Sequence, residues 1–389
     1  MELFQRVRKG DVMLHVRERE LLQILWREGR LSRWELHERS GQTPNGVGNV
    51  VGNLIKKGIL RECPAGPSTG GRPRVPVEVD PESRHVVGLI LAPGRAEVCR
   101  LNLCGQLMGD PVTRVIEASD DLVHIGAGLL SDTVNEETLS VGVAITGLVD
   151  LDARSILLSS ALPGEPRISI QPLYEAVEHF PLMVTNDVQA LGVRWMLTHR
   201  ADLALDVLLV GFGDGHIGAA MMVEGHPNKG CVLGANELGH TRFPVETAQC
   251  YCGKTGCLER VFSTPFLQQQ GTPSAETLET ALSTSEPGPT IQKMTSLLAM
   301  GISNSANFVR PHRLVLVSEF MRYRHFARNL ENEVRSMLLP EISGRVRIDE
   351  WELSDFESAE TAAWSALANL YANDWEPVMV MDGALVGAH

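Results

Sequence analysis

Apolar and charged residues follow helical spacing in three short segments at the start of the chain, each closed by a stop signal. In residues 17–28, RERELLQILWRE, Leu21, Leu22, Ile24, Leu25 and Trp26 sit among charges and Gly29 follows, which predicts a short amphipathic helix. In LSRWELHERSG, Ser32 and Glu35 have capping-box spacing and Gly41 ends the segment. Thr43 and Pro44 then supply an N-cap and a proline at the first helical position. A third helix is expected over PNGVGNVVGNLIKKG, with Val47, Val50, Val51 and Leu54 facing inward. After it, RECPAGPSTGGRPRVPVEVD has a Gly- and Pro-rich loop and then alternating Val75, Val77 and Val79, the pattern of a β-hairpin. Three helices with a turn before the last, followed by a wing, predict a winged helix-turn-helix over residues 1–80.

From His85 the period changes. HVVGLILA, AEVCRLNL, LSVGVAIT, PLMVTND and VLLVGFG predict strands, several apolar throughout, with helical stretches such as IQPLYEAVEHF between some of them. The alternation indicates an α/β body over residues 81–389. Its first two strands are expected to be antiparallel, because only a short turn around Gly94 separates them. Residues 271–290 look loop-rich with one short helix. No apolar run reaches the about 18 residues of a membrane span. The N-terminus lacks the apolar core of a secretion signal, so a cytoplasmic chain with no membrane partner is expected.

Charge sharpens the division. The 389 residues carry a net charge of −13, a poor match for nucleic acid if spread evenly. Residues 1–80 hold 14 basic and 10 acidic residues, a balance of +4 that leaves −17 on the rest. An acidic body repels the DNA backbone and leaves contact to the N-terminal module. The outer face of the third helix carries Asn45, Asn49, Asn53 and Lys56. Asn pairs bidentately with adenine, and Lys56 and Lys57 suit phosphates. Thr43 at the helix start, and Arg72 and Arg74 near the wing tip or its return strand, complete the expected contacts with operator DNA. Gly48 and Gly52 weaken this helix by about 1 kcal/mol each relative to Ala, and leave room for DNA or a neighbouring helix to approach. A three-helix packing or protein-interaction module has the same pattern.

Seven cysteines, Cys63, Cys99, Cys104, Cys231, Cys250, Cys252 and Cys257, are an odd number without a disulfide framework. With His240 the last three form H-x9-C-x-C-x4-C. Three thiolates and one imidazole fill a tetrahedral zinc with no open position, which predicts a structural metal. Three free cysteines in a loop are the alternative.

These residues together resemble the ROK family (repressors, open reading frames and sugar kinases), in particular its winged-helix repressor branch. The resemblance rests on the helix-turn-helix, GGRPR, GVAITGLVD, TNDVQALG, the glycine-rich GFGDGHIGAA, ELGH and CYCGKTGCLE, and covers nearly the whole chain. It implies a two-lobed, actin-like ATPase fold with a sugar cleft between the lobes. The small lobe would span about 81–190 plus the C-terminal end, and the large lobe about 191–365. It also implies sugar contacts from Asn186, Asp187, Glu237, His240 and Glu259. Carboxylates and amides suit vicinal hydroxyls, and His240 could bind zinc with one nitrogen and donate to the sugar with the other. Capping by Asn186 and Asp187, and surface or supporting roles for Glu237 and Glu259, are the alternatives.

In the family's kinases the Asp of the Asn-Asp pair is the general base, and Asp187 matches it. The phosphate hairpin departs from the kinase pattern. GLILAPGR has Ile90 where an Asp is expected and Gly94 where a Thr is expected, Val317-Ser318 stands near the adenosine-binding Gly-Gly, and Asp214 interrupts the glycine-rich stretch. The expectation is therefore a homodimeric or dimer-of-dimers repressor, without kinase activity, whose cleft closes on a sugar effector and moves the DNA modules out of register. The alternative is an active sugar kinase with an appended DNA-binding domain. Glu165, in LPGEPRIS, departs from the family's aromatic residue and leaves the sugar's identity open.

Overall fold

The computed structural model describes residues 14–64, 74–117, 120–160, 167–199, 205–228, 236–245, 248–353, 357–371, 379–381 and 384–386. The N-terminal module has helices α1 (Val16–Glu28), α2 (Arg33–Ser40) and α3 (Pro44–Lys56), and strands β1 (Leu31–Ser32), β2 (Leu60–Glu62) and β3 (Pro76–Val79). The helix ends follow the local signals. Gly41 adopts a left-handed conformation after α2, Ser32 and Glu35 form a reciprocal capping box, and Thr43 accepts from the Gly46 amide. The strands pair antiparallel in the order β1-β3-β2, with Leu60 opposite Val79 and Leu31 opposite Val77. Val47, Val51 and Leu54 are buried, whereas Val50 is half-buried against the same core.

Two five-stranded sheets follow. The first contains β4 (His85–Ala92), β5 (Arg95–Asn102), β6 (Val112–Val115), β7 (Thr138–Ile145) and β11 (Leu182–Asn186), in the order β11-β7-β4-β5-β6. As the short turn predicts, β4 and β5 are antiparallel, while β4, β7 and β11 run parallel. A smaller sheet, β8 (Leu148–Asp150), β9 (Ser155–Leu158) and β10 (Ile168–Ser169), lies between β7 and β11 in the chain. The second large sheet contains β12 (Val207–Gly213), β13 (His216–Val223), β14 (His226–Pro227), β15 (Arg313–Ser318) and β16 (Arg347–Glu352), in the order β14-β13-β12-β15-β16. Here again an antiparallel hairpin is flanked by parallel strands.

Helices α4 (Leu122–Thr133), α5 (Gln171–Ala176), α6 (Asp187–Thr198), α7 (Leu258–Val261), α8 (Thr264–Gln269), α9 (Leu278–Leu282), α10 (Pro289–Val309), α11 (Arg324–Met337), α12 (Pro340–Ser343) and α13 (Ala359–Tyr371) cover the sheets, and β17 (Met379–Met381) pairs with β18 (Ala384–Val386). Strands β4 and β7 are buried along their whole length, as expected of sheet interiors covered on both faces. One cover is the Ala-rich α13. It lies so close that a Cβ on Gly88 would stand 2.2 Å from the Ala359 carbonyl, and one on Gly142 would stand 2.1 Å from that of Ala362. The chain therefore returns to the first sheet at Ala359, earlier than the expected large-lobe limit near 365. No helix among the described residues is long and apolar enough to cross a membrane.

One continuous core joins the N-terminal module to the body. Leu21, Leu22, Leu25 and Trp26 of α1 cluster with α6, α13 and inner faces of both large sheets. Trp26 stacks on Tyr371 at 4.5 Å and meets Trp364 edge-on at 6.0 Å. Its indole nitrogen donates to the Leu197 carbonyl at 3.2 Å, near the end of α6.

Lys57 departs from expectation. Its ammonium lies 2.9 Å from both carboxylate oxygens of Glu18, which is only 3% exposed. Lys57 is therefore turned into the module and tied to α1, rather than directed at phosphates. Replacing Lys57 with Met strands a buried carboxylate and is expected to cost about 3 kcal/mol. Urea denaturation checks this, and the double variant Glu18→Leu/Lys57→Met should recover most of the loss.

Candidate ligand cleft, metal cluster and DNA face

Strand β11 delivers Asn186 to the N-terminus of α6. Its side-chain oxygen accepts from the amides of Val188 (2.9 Å) and Gln189 (3.4 Å), and its amide donates to the Gly147 carbonyl at 2.9 Å. Asn186 thus caps the helix and ties it to the turn after β7. Asp187 follows as the first helical residue, 4% exposed, with one carboxylate oxygen accepting from the Val188 amide at 2.9 Å. Burial raises its pKa above the usual carboxylate range, and the hydrogen-bonded neighbour Glu357 adds to the effect.

Across from α6 stand the β12–β13 hairpin and the loop that follows. The lining includes Thr146, Asn186, Asp187, His216, Asn236, Glu237, Tyr251 and Glu259, around a cavity of about 40 Å³. That is room for a few water molecules. Gly239 allows the ELGH turn to press onto β13, since a Cβ there would stand 2.2 Å from the Ile217 carbonyl. Glu237, immediately before the turn, is exposed at the mouth. Crowding by the walls, with Asp187, raises its pKa. Glu259 is 5% exposed. Burial is the main cause that pushes its pKa up to about 8, with Asp187 and Glu237 adding. One of its oxygens, Oε1, has no hydrogen-bond partner among the described residues.

His216, Glu357 and Tyr251 were not singled out from the sequence. The His216 ring lies on Gly213, at 2.4 Å from where a Cβ would stand, and burial lowers its pKa, so it is neutral near pH 7. Thr146 donates to Glu357 at 3.3 Å. The β4–β5 hairpin, where the kinase pattern departs, holds the start of α13: Arg95 donates to the Glu357 carbonyl at 2.6 Å, and Glu97 accepts from the Ala359 amide at 2.9 Å. Ile90 is fully buried. Asp214 accepts from the Thr264 amide at 2.6 Å, which ties the glycine-rich hairpin to α8. Ser318 caps the turn after β15 by accepting from Phe320.

His240, Cys250, Cys252 and Cys257 converge, with their ligand atoms all within 4.8 Å of one another. The Cys252 and Cys257 sulfurs are 3.6 Å apart, and Cys250 sulfur is 3.7 Å from His240 Nδ1. The edge of a tetrahedron with 2.3 Å metal–sulfur bonds is about 3.8 Å, so this donor set fits such an ion. Burial pushes the Cys250 thiol up to about 12 and raises Cys257 as well, so a cation among them is what would hold them as thiolates. The other ring nitrogen of His240 faces the Tyr251 hydroxyl at 3.3 Å, and His240 is absent from the described lining of the cleft. Tyr251 stands between His240 and Glu259, 3.5 Å from Glu259 Oε2.

On the N-terminal module, Thr43, Asn45, Asn49, Asn53 and Lys56 are exposed along α3. Nothing lies within 4 Å of a Cβ placed on Gly48 or Gly52, so these glycines make an open surface and no contact with a neighbouring helix. Arg74 is exposed, with its guanidinium 5.8 Å from the Trp34 ring. Arg72, Glu165 and Cys231 lie outside the described residues.

The ROK family model matches residues 127–369. A xylose repressor from Caldicellulosiruptor bescii is 24% identical over 227 residues, 56% of this chain and 56% of that protein. The chain thus spans little more than half the length of that relative. Among solved structures, a ROK family transcriptional regulator described as a homolog of the E. coli MLC protein aligns with TM-score 0.74 at 18% identity, over 94% of this chain and 98% of its own. A ROK family glucokinase from Streptomyces griseus, in complex with glucose and AMPPNP, aligns with TM-score 0.59 at 15% identity, over 72% of this chain and 98% of its own. The fold is therefore that of ROK proteins, with an actin-like kinase architecture in the body.

The raised pKa of Asp187 has a thermodynamic consequence. Above about pH 4 the unfolded chain releases a proton that the folded chain keeps. Stability then falls as pH rises from about 4 toward the folded value. Asp187→Asn keeps the cap and removes this proton, so its melting temperature should decline less steeply over that range. An identical slope in the variant would show that Asp187 is ordinarily ionised.

Proposed function

The chain belongs to the ROK family, and from that premise we propose that it is a sugar-responsive, DNA-binding transcriptional regulator, a repressor released by its sugar, without kinase activity. Residues 1–80 read DNA, and residues 81–389 form two lobes, with α13 returning to the first. The effector meets Asp187, Glu237 and Glu259 in the cleft, with Asn186 fixing the start of α6. A structural zinc on His240, Cys250, Cys252 and Cys257 holds the loop carrying Tyr251. When bound, the metal neutralises the thiolates and orients that loop. The regulator is a homodimer that reads paired half-sites in operator DNA.

The observation that carries this reading is the path of two helices. Helix α6 starts at Asp187 in the cleft and reaches Trp26 through the Leu197 carbonyl. Helix α13 starts beside Glu357, and its Trp364 and Tyr371 pack on the same indole. The sugar closes the cleft and changes the angle between the lobes, which moves α6 and α13 and with them α1. Sugar and operator must then weaken each other's binding by the same factor.

Asp187 keeps the kinase alternative in view, because a buried carboxyl at that place is a candidate base. The use of Arg95, Glu97 and Asp214 as structural ties speaks against a phosphate cradle. Steady ADP release with any hexose would overturn the non-enzyme reading.

Operator DNA selected from a random pool should be released in a mobility-shift titration by at least one free sugar, and no release across a hexose and pentose panel would defeat the proposal. Trp26→Phe keeps most of the packing but loses the bond to Leu197. It should bind operator while its response to sugar shrinks several-fold, and an unchanged response would place the coupling elsewhere. Cys252→Ser should lower zinc content from one ion per chain toward none, and full metal content would show the ligand set to be wrong.

A further inference from the structure

We infer that Arg84 is a positioning residue: it fixes the angle of α3 on the body and so sets which half-site spacing the protein accepts. This rests on the DNA-reading role proposed above for α3. Arg84 lies in the segment that leads from the N-terminal module into β4. Its Nε donates to the Lys57 carbonyl at 2.9 Å, and its Nη1 donates to the Glu136 carbonyl at 2.6 Å. Lys57 is the C-cap of α3, and Glu136 lies in the turn between α4 and β7. One guanidinium therefore bridges the end of α3 to the loop that feeds the first large sheet. The last carbonyls of a helix lack intrahelical partners and attract cations, and a planar guanidinium can serve two acceptors at once. The bridge takes only a backbone carbonyl of α3 and leaves Asn45, Asn49, Asn53 and Lys56 exposed.

The chain around this bridge is itself tied down. The Asp80 amide donates to the Ile59 carbonyl at 2.9 Å, and the Asp80 carboxylate accepts from the Glu82 amide at 3.0 Å and the Ser83 hydroxyl at 2.8 Å. Gly58, at φ +71°, turns the chain past α3 beneath this segment: a Cβ there would stand 3.3 Å from that of Ser83 and 3.5 Å from Arg84 Nε. His85 continues the grip on the body, its amide donating to the Glu137 carbonyl at 3.2 Å and its Nε2 lying 2.9 Å from the Thr138 hydroxyl. The connection is a braced strut. Lys57 is thus held twice, through its ammonium by Glu18 of α1 and through its carbonyl by Arg84. Trp26 docks the other end of α1, about 12 Å from Glu18 by helical rise. A module attached at Trp26 alone could swivel about that indole; a second attachment at Arg84 leaves it one orientation. In the proposed homodimer this orientation sets the separation and angle of the two α3 helices, and with them the half-site spacing.

The test is a mobility shift of the full chain on duplexes with two copies of the selected half-site. They carry the selected spacing and spacings one and two base pairs longer and shorter, beside a duplex with a single half-site. The wild type should favour one spacing by about tenfold or more. Arg84→Met keeps the aliphatic stem and loses both bonds. It should cut that preference to about threefold or less, while binding to the single half-site stays within about twofold. Arg84→Lys, which keeps the charge but not the fork, should fall between. Thermal melts check that each variant is folded at the assay temperature; should Arg84→Met not be, Arg84→Lys decides. An equal loss on the single half-site and on every spacing would mean that Arg84 only stabilises the module, and overturns the inference. So does a preference unchanged in both variants, or a wild type indifferent to spacing. These outcomes leave the regulator reading standing. A wild type that shifts no duplex at any spacing removes that reading and this inference with it.

Discussion

The indole of Trp26 is the joint on which the rest of the molecule depends. It belongs to the N-terminal module, yet it stacks on Tyr371 and meets Trp364 of α13, and its N–H bonds to the carbonyl of Leu197 in α6. Tyr371 is itself anchored, donating to the Leu103 carbonyl at 2.7 Å. Pulling the module away would expose a large aromatic surface and break a buried hydrogen bond, the bond alone being a net loss of about 0.5–1.5 kcal/mol. The module is therefore docked as part of the core, and its orientation follows the two helices that hold it.

Those helices begin where the acidic groups converge. A cluster of buried carboxyls is unfavourable for folding, since each loses hydration and repels its neighbours. Asp187 and Glu259 respond by binding protons more tightly. The chain tolerates this because the surroundings fix each group: the Val188 amide holds Asp187, Arg95 and Glu97 hold the segment at Glu357, and Gly239 lets the ELGH turn press against β13. On the proposed function, a sugar's hydroxyls would meet these carboxyls at the start of α6 and beside the start of α13.

Much of this was legible in the sequence wherever the signal is local. Caps, glycine stops and periodicity gave the ends of α1, α2 and α3, and continuous apolar runs gave β4, β7 and β12 almost residue for residue. The His–Cys spacing identified a cluster that does converge. Local signals failed where partners are distant in the chain. Lys57 reads as a surface cation because Glu18 is 39 residues away. Asn186 fits both cap and ligand, and only the Gly147 bond shows how it is engaged. Glu357 sits far from Asp187 in sequence, so no spacing could reveal that pair. Tyr251 lay inside the His–Cys motif, and its position between Cys250 and Cys252 of the converging cluster was the available hint. His216, in an otherwise glycine-rich hairpin, was another.

The central claim is that occupancy of the cleft reaches the DNA module through α6 and α13. Hydrogen–deuterium exchange of the full chain, with and without a sugar that binds, tests it most directly. The account predicts changed protection in residues 187–198, 359–371 and 16–28 together. Changes confined to the cleft-lining segments, with 16–28 and 359–371 unaltered, would contradict it.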